Sequence, residues 1–133
     1  MKSTITLITL SVIVLATVIY GFLDGGSPQA AKNKKFDQTR YSNIQSIQHS
    51  INSYYSKHAV LPTTISEATT EYSDQLDLTD PETKQPYEYI NTGNIEYKLC
   101  ANFATDTTND SMEKVSKISH PSGYYCYTFT PNN

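Results

Sequence analysis

The sequence predicts an α+β fold: an N-terminal transmembrane helix, then an amphipathic helix packed on a small antiparallel sheet of about three strands. Three observations predict it: an uncharged apolar run from Ile5 to Leu23, an apolar stripe of helical period between Phe36 and Tyr54, and a change to period two from Tyr87 onward. At 133 residues the chain has room for one compact domain and an appendage.

The appendage comes first. Residues 5–23 read ITLITLSVIVLATVIYGFL without a charge, and at 1.5 Å per residue such a run rises about 30 Å, the thickness of a hydrocarbon core. The expected order is a cytoplasmic tip at 1–4, a membrane-spanning helix at 5–23, a hinge at 24–28 and an extracytoplasmic head at 29–133. The rival reading is a cleavable secretory signal, with Met1 and Lys2 as basic flank and Ala30 or Ala31 as cleavage residues. Against it, the run is longer than the ~7–15 apolar residues of a signal core, and Pro28 crowds the cut. The uncleaved helix predicts a single-pass protein of a cell membrane, in contact with lipid, with its C-terminal domain outside the cytoplasm. Lys32, Lys34 and Lys35 on the far flank run against the positive-inside pattern, so orientation rests on the cysteines. Cys100 and Cys126 are an even pair and fit one disulfide in an oxidising compartment, with two buried thiols as the alternative. The net charge of −3 and the absence of basic clusters interleaved with aromatics exclude nucleic acid as partner.

Asp24-Gly25-Gly26-Ser27-Pro28 breaks the first helix and starts the next, with Ser27 as cap and Pro28 in the first turn. From Gln29 to His58, at 100° per residue, Phe36, Ile44, Ile47, Ile51 and Tyr54 fall within an arc of about 80°. Arg40 and His58 lie inside that arc, so each needs a partner or the rim, while His49 points away. Leu61-Pro62 ends the helix. Ile65, Ala68, Tyr72 and Leu76 are spaced for a short helix within Thr63 to Leu78, although four threonines lower its propensity. After Asp80-Pro81, Tyr87 and Tyr89 alternate with Glu88, and Asn91-Thr92-Gly93-Asn94 makes a turn. Ile95, Tyr97, Leu99, Ala101 and Phe103 then share one face, which reads as a hairpin. Ala104 to Ser119 is a polar excursion in which Met112, Val115 and Ile118 are spaced for one helical turn. Tyr124 to Phe129 reads as the third strand.

Strand parity tests the disulfide. Cys100 lies opposite Leu99 and Ala101, and Cys126 lies opposite Tyr125, Tyr127 and Phe129. With both apolar rows against the helix, the two thiols meet on the outer face of the sheet. Closing that loop of about 26 residues stabilises by about 3.5 kcal/mol in the chain-entropy model. Eleven tyrosines and no tryptophan suit a thin core with wet edges.

Residues for chemistry are scarce, so no catalytic residue and no cofactor are predicted. His49 and His58 lie about 180° apart on their helix, and His120 precedes Pro121 in a loop, which is no set of metal ligands. The sequence carries no nucleophile elbow, Gly-rich phosphate loop or CxxC pair. Asp74, Asp77, Asp80 and Glu82 form the one acidic concentration. Carboxylates converging in a loop can hold calcium, which takes about six to eight oxygens, but the spacing is not that of an EF-hand. The alternative is a solvated acidic turn braced by the Asp80 side chain. Asn109-Asp110-Ser111 matches a glycosylation sequon.

Two stretches carry a family resemblance. Tyr55-Ser56-Lys57-His58-Ala59-Val60-Leu61-Pro62-Thr63-Thr64 is similar to the tyrosine, short link and Pro-Thr-Thr of type IV pilins. Asp80-Pro81-Glu82-Thr83-Lys84-Gln85-Pro86-Tyr87-Glu88-Tyr89 resembles their Asp-Pro turn leading into Pro-Tyr-x-Tyr, particularly in the major pseudopilin of type II secretion. The resemblance covers about residues 40–100. It implies a pilin-like head and a role in assembly, with like subunits or envelope assembly machinery as partners. The apolar run departs from the family: it has no acid and no cleavage site before it, and Gly21-Phe22 comes at its end. The expected function is therefore a pseudopilin-like, membrane-anchored structural or assembly protein of a bacterial envelope, and not an enzyme. The alternative is a membrane-tethered binding module that does not polymerise.

Overall fold

The computed structural model describes residues 2–24, 27–70, 76–93, 95–110 and 119–131. The protein is α+β with one three-stranded antiparallel sheet, and it divides into two units, residues 1–32 and 33–133.

In the first unit, helix α1 spans Lys2–Asp24. Its described side chains, residues 5–21, are all exposed. Thr9 and Thr17 return their hydroxyls to helix carbonyls, Thr17 at 2.8 Å from the Val14 oxygen, which keeps these polar residues compatible with a helix. Among the described residues no helix is long and apolar enough to cross a membrane. That finding overturns the predicted membrane span at 5–23 with its cytoplasmic tip, and with it the single-pass placement in a cell membrane.

Helix α2 spans Pro28–His58 and starts as its sequence dictates. The Ser27 hydroxyl accepts the Ala30 N–H at 3.1 Å and its carbonyl accepts that of Ala31, while Pro28 occupies the first turn, where its missing N–H costs nothing. Gly25 and Gly26 of the expected hinge lie outside the described residues. The helix closes with Ala59 in the left-handed region (φ 56°), its N–H on the Tyr55 carbonyl.

In the second unit, the buried stripe of α2 is Ile44, Ile47 and Ile51, from the predicted arc; Phe36 and Tyr54 are half-buried at its ends. This stripe packs against the sheet formed by β1 (Glu88–Gly93), β2 (Glu96–Phe103) and β3 (Gly123–Phe129), in the order β1-β2-β3. Tyr97, Leu99, Ala101 and Phe103 of β2 and Tyr127 of β3 complete the core, as their alternation requires. Ile95, assigned to the same face, is 50% exposed because it sits in the hairpin turn. Gly93 supplies that turn with φ 90°, and the Asn91 side chain accepts its N–H; Asn94 lies outside the described residues. Polar tips stitch the layers. The Tyr97 hydroxyl donates to Asn52, the Tyr89 hydroxyl to the Pro62 carbonyl, and Asn43 donates to the Tyr87 hydroxyl.

The short helix is shorter than predicted. Helix α3 is Ile65–Thr70, and its start is secured by Thr64, whose hydroxyl accepts the Glu67 N–H, while Glu67 accepts the N–H and hydroxyl of Thr63, a capping-box arrangement. Tyr72 lies outside the described residues. Leu76 and Leu78 are not helical: Leu78 accepts the Tyr87 N–H, and Thr79 bridges Pro86. Backbone pairing with residues 86–87 overrides the helical spacing there. Met112, Val115 and Ile118, spaced for a helical turn in the excursion, also lie outside the described residues.

Candidate functional site

The most concentrated chemistry of the second unit is a buried charge cluster on α2. Arg40 is 2% exposed. Its position inside the apolar arc drives a guanidinium into the core, where an unpaired charge costs several kcal/mol. Three carboxylates meet it. Nε donates to Asp80 at 2.5 Å, Nη2 to Asp80 and to Glu82 at 2.8 Å, and Nη1 to Asp37 at 2.8 Å, one helical turn earlier. The planar fork of arginine suits this geometry, engaging Asp80 through two nitrogens.

Each acid also holds backbone. Asp80 accepts the N–H groups of Glu82 and Thr83, bracing the turn that follows it. Asp37 accepts the N–H groups of Ala104 and Thr105 and the Thr105 hydroxyl, pinning the chain as it leaves β2. Burial pushes the Asp80 carboxyl up, but hydrogen bonds from Arg40, Thr83 and Glu82 outweigh it and hold it at about 2. At Asp37 burial is likewise outweighed, by Thr105, Ala104 and Arg40, and the carboxyl is held below its usual range. Arg40 answers in the opposite direction: burial lowers its affinity for the proton, and the three acids raise it further still. Asp37, Arg40 and Asp80 are therefore ionised throughout the neutral range and clamp α2 to two loops.

Three of the four candidate calcium ligands have internal partners. Asp80 and Glu82 are engaged by Arg40, and Asp77 accepts the N–H and hydroxyl of Thr79. Asp74 lies outside the described residues. Among the described residues no group of three or more His, Cys, Asp or Glu side chains is placed to hold a metal ion. The carboxylates at 80 and 82 turn toward an internal cation, which explains why they gather there. Cys100 and Cys126 form the predicted disulfide as direct cross-strand partners. On the same face of the sheet the Tyr124 hydroxyl donates to Glu88 at 2.7 Å, and Cys100 is 2% exposed.

Beside the charge cluster a cleft of about 240 Å³ opens between Lys34, Gln38 and Tyr41 of α2 and Thr105, Thr107 and His120. His120 is buried, stacks on Phe103 at 3.8 Å, and exchanges hydrogen bonds with Thr107. Its Nδ1 lies 3.2 Å from the Pro121 carbonyl, which accepts from the Nδ1-protonated tautomer. His58 stacks on Tyr54 at 4.3 Å and His49 is exposed. Sequence reasoning missed Asp37 and Glu67, and for His120 it missed the stack on Phe103. The signal for Asp37 was its place three residues before the only arginine of the chain. Ser111 of the sequon lies outside the described residues.

The buried phenols predict an alkaline limit. Burial pushes Tyr87 and Tyr89 up to about 12, helped at Tyr89 by Glu67 and opposed at Tyr87 by Asn43, and burial raises Tyr97 in the same direction. An unfolded tyrosine ionises near 10, so above that pH the unfolded state loses protons first and stability falls as pH rises toward 12. Each such group adds a slope of up to about 1.4 kcal/mol per pH unit. Urea midpoints should hold from pH 8 to about 9 and fall between about 10 and 11, and Tyr87→Phe should flatten the decline; an unchanged midpoint at pH 11 would refute it.

Compared with known proteins, the chain matches no family model, no curated protein and no solved structure.

Proposed function

We propose that this chain is a structural or assembly protein of pilin-like build, which joins like subunits through α1 and displays the unit of residues 33–133. The observation that carries this reading is the exposure of α1. Ile5, Leu7, Leu10, Ile13, Leu15 and Ile19 are each more than half exposed, on a helix without a charge between residues 5 and 21. A helix apolar all round is a buried helix in its working state, and an exposed apolar surface of this extent marks an interaction site. Copies of the same helix provide a cover of matching length and chemistry. The type IV pilin resemblance of residues 40–100 supports the same reading, as does a second unit with its own core, charge cluster and disulfide.

The alternative of a binding module that does not polymerise finds less support. Among the described residues, clefts of about 240, 260 and 160 Å³ fall below the ~300–1,000 Å³ usual for small-molecule sites. Chemical crosslinking of the full chain tests the proposal. Ladders at regular multiples are expected, and Ala16→Leu, which enlarges a small residue at the helix surface, should shift or thin them. A single monomer band at all protein concentrations, unaffected by Ala16→Leu, would sink the proposal.

A further inference from the structure

The sheet has two edges of different character. β1 is short, its register breaks between Asn91 and Gly93, the Asn91 side chain folds onto the Gly93 N–H, and the Tyr89 hydroxyl is tied to Pro62. Such irregularity protects an edge. β3 has none of it: seven residues, GYYCYTF, in unbroken register with β2, without charge or proline.

The direction of the free backbone groups of β3 follows from its pairing. The Cα atoms of Cys100 and Cys126 are 4.0 Å apart, the close spacing of a non-hydrogen-bonded antiparallel pair. The N–H and C=O of Cys126 therefore point away from β2, and by alternation so do those of Tyr124 and Thr128. Among the described residues no further strand lies beside β3, and no backbone hydrogen bond outside the β2 ladder reaches these three residues. On the helix side of the same edge the aromatic layer is incomplete. Tyr125 and Phe129 are only half-buried, while Tyr127 between them is 8% exposed.

We infer that the outer edge of β3 pairs antiparallel with β3 of a second copy of this chain, about a two-fold axis through Cys126. The complementarity is electrostatic at the level of the peptide group. Cys126 exchanges N–H and C=O with the partner's Cys126, and Tyr124 with the partner's Thr128, so each outward donor meets an acceptor, about six hydrogen bonds in all. No charge is brought opposite a like charge. The register also places Tyr125 beside the partner's Tyr127 in a close non-hydrogen-bonded pair, which extends the half-covered aromatic layer across the joint. A charged or proline-bearing extended peptide fits neither feature. The contact uses no residue of α1, so it stands or falls separately from assembly through that helix.

Amide hydrogen exchange on the full chain, in a mild detergent that shields α1, tests this. As protein concentration is raised, exchange at the Tyr124, Cys126 and Thr128 amides should slow by more than about tenfold, while exposed-loop amides are unchanged. Thr128→Pro removes an outward N–H that β2 does not use and should abolish the concentration dependence. Should proline distort the strand, the pair Tyr124→Lys and Thr128→Lys sets lysines against each other across the axis and should do the same. Fast exchange of these three amides at every concentration, with β2 amides protected, would overturn the inference, as would protection confined to the β1 edge. Crosslinked ladders accompanied by that fast exchange would leave α1 assembly standing and this contact refuted.

Discussion

Replacing Arg40 with alanine should destabilise the protein by about 3–5 kcal/mol at pH 7, the usual cost of removing one partner from a buried ionic cluster. The mechanism is specific. Asp37 and Asp80 are 3% and 7% exposed, and each is fixed in place by backbone N–H groups that it caps, so neither can swing to water when the guanidinium is lost. Two buried carboxylates then face a cavity without a counter-charge. Arg40→Lys should recover only part of the loss, since an ammonium cannot reproduce the fork that reaches Asp37, Asp80 and Glu82 together.

Acid provides the control. In the native protein Asp80 is held at about 2 and Asp37 is also lowered, while unfolded aspartates titrate near 3.9. A depressed folded value means stabilisation that is present above about 3.9 and lost as pH falls from there toward 2. Arg40→Ala removes the interaction that is lost, so the gap between variant and parent should shrink between pH 6 and pH 2.5. Urea unfolding at those pH values measures it. A loss under about 1 kcal/mol at pH 7, or a gap that ignores pH, would show that the cluster is not what holds the loops to α2.

The same cluster shows how far the sequence could be read. Helical phase alone places Arg40 among Ile44, Ile47 and Ile51 and demands a partner for it, and the acidic turn at 77–82 is visible as a composition feature. What local patterns do not carry is that the two meet, because Asp80 is forty residues away and the contact is set by the path of the chain between them. The bracing of the turn by the Asp80 side chain is legible locally and is present, whereas its ion pair with Arg40 is present but not legible locally. Strand parity fared better. It needs only period two and the shared face of the apolar rows, so the Cys100 and Cys126 bond and the inward Tyr97, Leu99 and Phe103 followed directly. The helix predicted for residues 63–78 failed at Leu76 and Leu78, where spacing is ambiguous between periods and the antiparallel bridge from Thr79 to Pro86 decided the outcome. The membrane-spanning assignment failed as well: among the described residues no helix is long and apolar enough to cross a membrane.

Removing the disulfide should cost about 2–5 kcal/mol, with the double replacement Cys100→Ala and Cys126→Ala as the clean form of the experiment. The bond joins residues already held as neighbours by the β2–β3 ladder, so few native contacts depend on it. Its effect is on the unfolded chain, where it closes the excursion between the two strands and removes conformations that folding would otherwise have to exclude. Two consequences separate this account from one based on native contacts. The near-ultraviolet signature of the packed tyrosines should be unchanged in the double variant, and its urea m-value should rise, because the uncrosslinked unfolded state is more expanded. Access follows from burial. Cys100 is 2% exposed and the Tyr124 to Glu88 hydrogen bond crosses the same face of the sheet as a cover, so a reductant should open the bond slowly in native buffer and quickly in denaturant. Tyr124→Phe, which removes that hydrogen bond without touching the strand pairing, should speed native-state reduction while leaving the denatured-state rate unchanged. Equal rates for the parent and Tyr124→Phe would show that the cover is ornamental and that opening of the β2–β3 ladder limits access.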